Sequence, residues 1–240
     1  MPLARGRRAI DALMKRRAVL TQEMGAGAAL PRDQLSREHL LLAHDFAKAA
    51  QAFEEPRRER LTTKEKWQHR GDVTAAVFSA TAYLEDLISE LYVNMRNLPR
   101  PKLVKKLRAS SHPESSTILN KYQLALSVSD GDPFDPNSSP YFDADSLFRL
   151  RDALTKYLNF HPVGRRGLSR RLEGKFPPNP YASAESRWFP ERCLGAGCAK
   201  WAVSTAEVFG DDFCRRMGIP AKPRVGHADV AQARRMRNSF

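Results

Sequence analysis

Only three cysteines occur in 240 residues, Cys193, Cys198 and Cys214, and all lie in the last fifth of the chain. An odd, late cluster of this kind excludes a disulfide framework. Cys193-x4-Cys198 has no second His or Cys pair at zinc-ligand spacing, so no structural zinc is expected. The three read as reduced thiols of a cytoplasmic protein. Long apolar runs are missing as well. Nothing approaches about 18 consecutive apolar residues, which excludes a transmembrane helix and leaves no membrane partner in view. The opening stretch MPLARGRRAIDALMKRRAVL is basic but has no apolar core, so it does not read as a secretory signal, and its lack of serine argues against a transit peptide. GAGAAL and GAGCAK fit neither GxGxxG nor a P-loop, and no GxSxG elbow occurs. His39, His44 and His69 lack metal-ligand spacing, so neither metal nor cofactor is expected. No segment alternates with period two over more than a few residues, which removes β-structure and leaves an all-α chain.

What the sequence has in excess is positive charge. Lys and Arg number 40 against 27 Asp and Glu, for a net charge of +13, and arginine supplies 28 of the 40. Residues 1–20 carry +5 and residues 222–240 carry +4, so the two ends read as a basic arm (1–33) and a basic tail (219–240) flanking a helical domain over 34–218. Two blocks inside the domain are also basic. One holds Arg96, Arg100, Lys102, Lys105, Lys106 and Arg108 without an acid; the other holds Arg165, Arg166, Arg170, Arg171 and Lys175 against Glu173. These arginines and lysines are the candidate nucleic-acid contacts, and their binding would be salt-dependent. The competing reading is a set of solvated loops that raise solubility.

Hydrophobic residues make up 42% of the chain, enough for a sizeable core. A first helix is predicted over 34–54, with Leu40, His44, Ala47 and Phe53 near one face. The second, over about 63–95, is stronger. Val73, Val77, Ala80, Leu84, Leu87 and Leu91 follow one another at steps of four and three, and Phe78, Ile88 and Val93 widen the stripe. Thr62 or Thr63 is placed to cap it, with Glu65 in the first turn. A shorter helix is expected over 114–128, then a loop rich in Asp, Pro, Gly and Ser. Asp145 or Ser146 would open a helix carrying Leu147, Leu150, Leu154 and Leu158. A basic, proline-bearing loop over 161–190 is expected next, and a last helix over 196–217, stopped by Gly218 and Pro220. Trp67, Trp188 and Trp201 read as packing anchors rather than stacking platforms. The sum is a bundle with two long central helices.

AVFSATAYLEDLISELY (76–92) and SLFRLRDALTKYLNFHP (146–162) together resemble the HEPN-like superfamily. The first is similar to a helix in which small and apolar residues lead into an acidic stretch. The second is similar to the later helix that carries an Arg-x4-6-His element. FPERCLGAGCAKWAVSTAEVFGDDF (189–213) resembles the closing helix of uncharacterised bacterial members, so the resemblance spans roughly residues 37–218. It implies a helical bundle that commonly forms a homodimer, with two copies of the Arg/His element across a shared cleft. It also implies either a metal-independent ribonuclease, frequently a toxin or effector in toxin–antitoxin and phage-defence systems, or an inactive scaffold or nucleotide-binding module. Arg151 matches the motif arginine and Asp152 the polar position after it. Lys156 stands where the histidine is expected, and His161 lies ten residues on. Glu85 and Glu90 match acidic positions, and Ser89 stands where many relatives carry Asn.

Physical chemistry bears on that departure. Metal-free RNA cleavage needs a group to take the 2′-hydroxyl proton, a group to protonate the leaving oxygen, and positive charge at the phosphate. Histidine suits the proton steps because its ordinary pKa is near about 6.5. Lysine starts near about 10.4, and lowering Lys156 by about 3 units would cost about 4 kcal/mol. Arg151 would remain for the phosphate, Lys156 as cation or acid, and Glu85 or His161 as base. Pro162 steers residue 161 out of the helical region, so His161 reads as the helix end, at the negative pole of its dipole. Glu85 reads as an ion-pair partner for Arg151 across the bundle. Arg149 reads as a solvated or interface charge.

Three functional readings follow. The first is a degenerate HEPN-like module that binds RNA, a nucleotide or a partner protein. The second is a divergent metal-independent endoribonuclease using Arg151, Lys156, Glu85 and His161. The third is a structural helical protein whose basic ends contact nucleic acid.

Overall fold

The computed structural model describes residues 35–55, 60–93, 117–129, 131–155 and 162–219, with the backbone alone at 162–165. The chain divides into two units, Met1–Gln34 and Leu35–Phe240; the first lies outside the described residues. The described residues of the second form six α-helices: α1 (Leu35–Glu54), α2 (Thr63–Val93), α3 (Ile118–Val128), α4 (Tyr141–Thr155), α5 (Pro162–Leu172) and α6 (Ala196–Met217). A five-residue π-type turn, Trp188–Arg192, leads into α6. No strand occurs among the described residues, and no helix there is long and apolar enough to cross a membrane. The class is all-α.

α1 and α2 form an antiparallel hairpin joined by polar contacts at both ends. Near the start of α1, the backbone N–H and hydroxyl of Ser36 each donate to Glu90 near the end of α2, at 2.8 Å. At the other end, His69 Nε2 lies 2.8 Å from Glu54 Oε1. α2 begins as its sequence predicts. Thr62 Oγ1 accepts from Glu65 N at 3.3 Å, and Glu65 Oε2 accepts from Thr62 N at 2.9 Å, a reciprocal capping box. Its stripe from Val73 to Leu91 is buried throughout, and Ile88 with it, whereas Val93 is half exposed.

α6 lies against both helices of the hairpin. Ala199, Ala202, Val203, Ala206, Phe209 and Phe213 form its buried face. Gly210 sits so close to α2 that a Cβ there would overlap the Tyr83 hydroxyl and press on Leu87. The end of α6 follows its sequence too. Gly218 adopts φ 64°, its N–H donates to Arg215 O at 3.0 Å, and Ile219 N donates to Cys214 O at 2.9 Å. Tyr122 of α3 fills the space between α2 and α6. It is fully buried, donates to Leu84 O at 2.7 Å, and meets Phe209 and Phe213 edge-on at 4.9 and 4.5 Å. Phe134 stacks on the far side of Phe209 at 4.7 Å. α2 and α6 are thus the two long helices at the centre.

Three expectations are corrected. α4 opens at Tyr141, not at Asp145 or Ser146. Pro140 precedes the first helical residue, where its missing N–H costs nothing, and Asp143 lies in the first turn on the favourable side of the dipole. Residues 162–172, read as loop, form α5. Pro162 starts it, and Leu168 and Leu172, four apart, bury its one apolar edge. Two glycines and four arginines hid that edge from a periodicity reading. Trp67 is no packing anchor: it is 66% exposed. Trp188 and Trp201 do pack, both against Phe176, at 5.5 and 5.4 Å.

Candidate functional site

Arg151 leaves α4 toward α2 and is held between two carboxylates. Its Nη1 donates to Glu85 Oε1. Nη2 and Nε donate to Asp152 Oδ1 at 2.9 and 3.1 Å. The guanidinium also lies 5.1 Å from the Phe148 ring centroid. Burial works against the charged guanidinium, but the Asp152 hydrogen bond and the Glu85 carboxylate outweigh it, so Arg151 is held above its ordinary range. The pair expected between Arg151 and Glu85 is therefore present. It is not dry: the side chains of Arg151, Glu85 and Asp152 are 24, 38 and 45% exposed. A water-accessible guanidinium between two carboxylates can anchor two helices, and it offers an anion little uncompensated charge.

The acidic stretch on α2 is otherwise occupied with structure. Ser89 Oγ donates to Glu85 O of its own helix at 2.7 Å. Glu90 is almost fully buried and accepts the Ser36 bonds at the head of α1, where the helix dipole favours a carboxylate. Asp86 Oδ2 lies 2.9 Å from His39 Nδ1, out of line for a hydrogen bond. Burial pushes the Asp86 carboxyl up, His39 opposes it, and Glu90 and Glu85 add to the rise. Lys156 and His161 lie outside the described residues, as do Arg96, Arg100, Lys102, Lys105, Lys106 and Arg108.

On the opposite flank of α4 sits α5. Arg171 bridges the two helices: Nη2 reaches Asp145 Oδ2 at 2.5 Å, Nε donates to Ser146 Oγ at 3.2 Å, and the guanidinium stacks 4.1 Å from the Phe142 centroid. Lys175 pairs with Asp143 in the same way. Two of the basic block's members are thus fixed by α4 aspartates that the sequence reading had not paired with them. Arg149 is 59% exposed and bonds Asp145 at 2.8 Å. Arg166 and Arg170, one turn apart, are exposed and have no ion-pair partner among the described residues. Arg165 contributes backbone to α5. This helix therefore presents an exposed, uncompensated arginine face on a framework fixed by Arg171 and Lys175.

The histidines, read as non-ligands, each meet a carboxylate: His39 with Asp86, His44 with Glu207 at 2.8 Å, and His69 with Glu54. No group of three or more side chains suited to a metal occurs among the described residues. Glu54 also accepts from Ala196 N at 2.7 Å, so the first amide of α6 is already satisfied. That contact borders an open groove of about 550 Å³, lined by Gln51, Glu55, Phe176, Lys200 and Trp201 among others. A hollow of about 230 Å³ lies between Lys66, His69 and Arg70 of α2 and Tyr181, Ser183 and Ser186. Neither includes Arg151. Sequence spacing could not have found these, since Glu54, His69 and Ala196 come from three distant segments. No protein-family profile, curated protein or solved structure matches this chain.

Proposed function

We propose that the chain is a HEPN-like module that binds RNA without cleaving it, through the arginine face of α5. The observation that carries this reading is the contrast between two kinds of arginine. Arg151, the motif residue, is neutralised by Glu85 and Asp152, whereas Arg166 and Arg170 are exposed without ion-pair partners among the described residues. Phosphate binding follows uncompensated charge, because each contact gains by releasing condensed counterions. A homodimer in the cytoplasm is the form in which this module is expected to act.

A second reading draws on the water that reaches the Arg151 cluster. In it the chain is a metal-independent ribonuclease, with Glu85 or Asp152 taking the 2′-hydroxyl proton, Arg151 turning from its carboxylates to the phosphate, and the leaving 5′-oxygen taking its proton from water that reaches the cluster. Incubation with labelled tRNA and mRNA in EDTA, beside an Arg151→Ala control, separates the two. The binding reading predicts retarded but intact RNA with both proteins. Fragments ending in 2′,3′-cyclic phosphate, formed by the wild type and lost in the control, would replace it with the ribonuclease. The reading in which the basic ends alone contact nucleic acid predicts that binding vanishes without residues 1–30 and 222–240.

A further inference from the structure

Outside the arginine face, one surface has no structural explanation. Trp67, in the second turn of α2, is 66% exposed and touches no other aromatic ring and no cation among the described residues. A bare indole in water is unfavourable, and an isolated one buries no core. Its neighbours are chemically consistent. Lys64 and Arg70, three positions before and after, project about 60° to either side of it around the helix axis. Lys66 and Arg70 also line the 230 Å³ hollow beside it. All three cations are exposed and unpaired among the described residues. Two of the nearby acids are engaged or turned away, and a third, Glu191, lines the same hollow as Lys66 and Arg70. Glu65 is occupied in the capping box with Thr62, and Asp72 projects from the other side of the helix, about 140° from Trp67.

Gly71 completes the arrangement. A side chain four residues further along a helix leans back over its predecessor, so position 71 is where a neighbour would cover the Trp67 ring. A Cβ at Gly71 would meet nothing within 4 Å. No close packing demands glycine there, and its effect is an uncovered ring face.

We infer that Trp67 is a stacking platform for one unpaired base of a single-stranded nucleic acid, with Lys64, Lys66 and Arg70 holding the phosphates on either side. Single strands fit because a duplex keeps its base faces inside the stack, and aromatic stacking beside a basic track is how sequence-tolerant binders hold them. A membrane surface fits less well. The residues beside the ring on its face are Thr63, Lys64, Gln68, Arg70 and Gly71, none of them a large apolar side chain for insertion. The platform deepens the RNA-binding reading, and it lies on a different helix from Arg166 and Arg170.

The test is tryptophan fluorescence of the full chain titrated with a single-stranded RNA of mixed sequence, with a matching duplex and anionic vesicles run in parallel. Single-stranded RNA is expected to quench the emission, and the quenching is expected to disappear in Trp67→Phe, although that variant retains most of the affinity. Trp67→Ala and Gly71→Leu are each expected to weaken binding at least about fivefold, with thermal unfolding midpoints within a few degrees of wild type because Trp67 is mostly exposed and a Cβ at position 71 meets nothing within 4 Å. Unchanged affinity in Trp67→Ala, or quenching that survives in Trp67→Phe, overturns the platform. So does quenching by vesicles or duplex alone. A wild type that binds RNA through Arg166 and Arg170 but ignores Trp67 sinks the platform and leaves the proposed function standing. Binding that needs Trp67 but neither arginine does the reverse.

Discussion

Asp72 is the residue at which burial and charge conflict most openly. Its Oδ2 is buried without a hydrogen-bond partner, and burial raises its carboxyl from the ordinary value of 3.8 to about 6, with His69 pulling the other way. A raised carboxyl pKa means that the folded state holds the proton more tightly than the unfolded chain. Stability is therefore highest below about pH 4 with respect to this group, and declines as pH rises toward 6. Asp72 is only partly buried, so solvent screening limits the loss to the order of 1 kcal/mol. Asp72→Asn should remove that decline and raise the unfolding midpoint at neutral pH. Thermal unfolding from pH 4 to 7 measures it; a variant whose profile parallels wild type would contradict the account. Arg151 is the opposite case, a charge whose partners compensate it fully, and this is why it reads as structure.

At the scale of single elements, two helical glycines separate packing from exposure. Gly210 lies where α6 crosses α2, and Gly210→Ala would force the Tyr83 hydroxyl and Leu87 aside. Overpacking of this kind costs about 1–3 kcal/mol. Gly71 lies on an exposed helix interior with open space around it, so Gly71→Ala should stabilise by about 0.5–1 kcal/mol through helix propensity alone. Denaturant unfolding of the two variants should move the midpoint in opposite directions, and equal shifts would refute the crossing described here.

The same elements show which signals a sequence carries. The apolar stripe of α2, the Thr62–Glu65 box and the Gly218 stop were readable because each depends on residues within one turn of one another. α5 was not, since its two leucines sit among arginines and its position is fixed by Asp145 and Asp143, which lie 26 and 32 positions before Arg171 and Lys175. Long-range pairings of that sort leave no periodic trace. The exposure of Trp67 was hidden for the same reason: tryptophan is most often an anchor, and only the packing of other helices decides whether a given face is covered. The Arg151–Glu85 pair was legible as a pairing, but not the second bond to Asp152 nor the access of water to the cluster.

For the whole molecule, charge is distributed in three ways. It is concentrated in the end segments 1–20 and 222–240, cancelled in pairs such as Arg151–Glu85, Arg171–Asp145 and Lys175–Asp143, and, among the described residues, left open on Arg166 and Arg170 of α5 and beside Trp67 on α2. The third group supports binding by the folded bundle. The most direct test is the salt dependence of RNA affinity for the full chain, wild type against the double variant Arg166→Ala/Arg170→Ala. Each phosphate contact to a single strand contributes about −0.7 to the slope of log K against log salt. If both arginines bind phosphate, the double variant should bind more weakly with a slope shallower by about 1.4. An affinity and slope equal to those of wild type would contradict the account and move nucleic-acid contact away from α5.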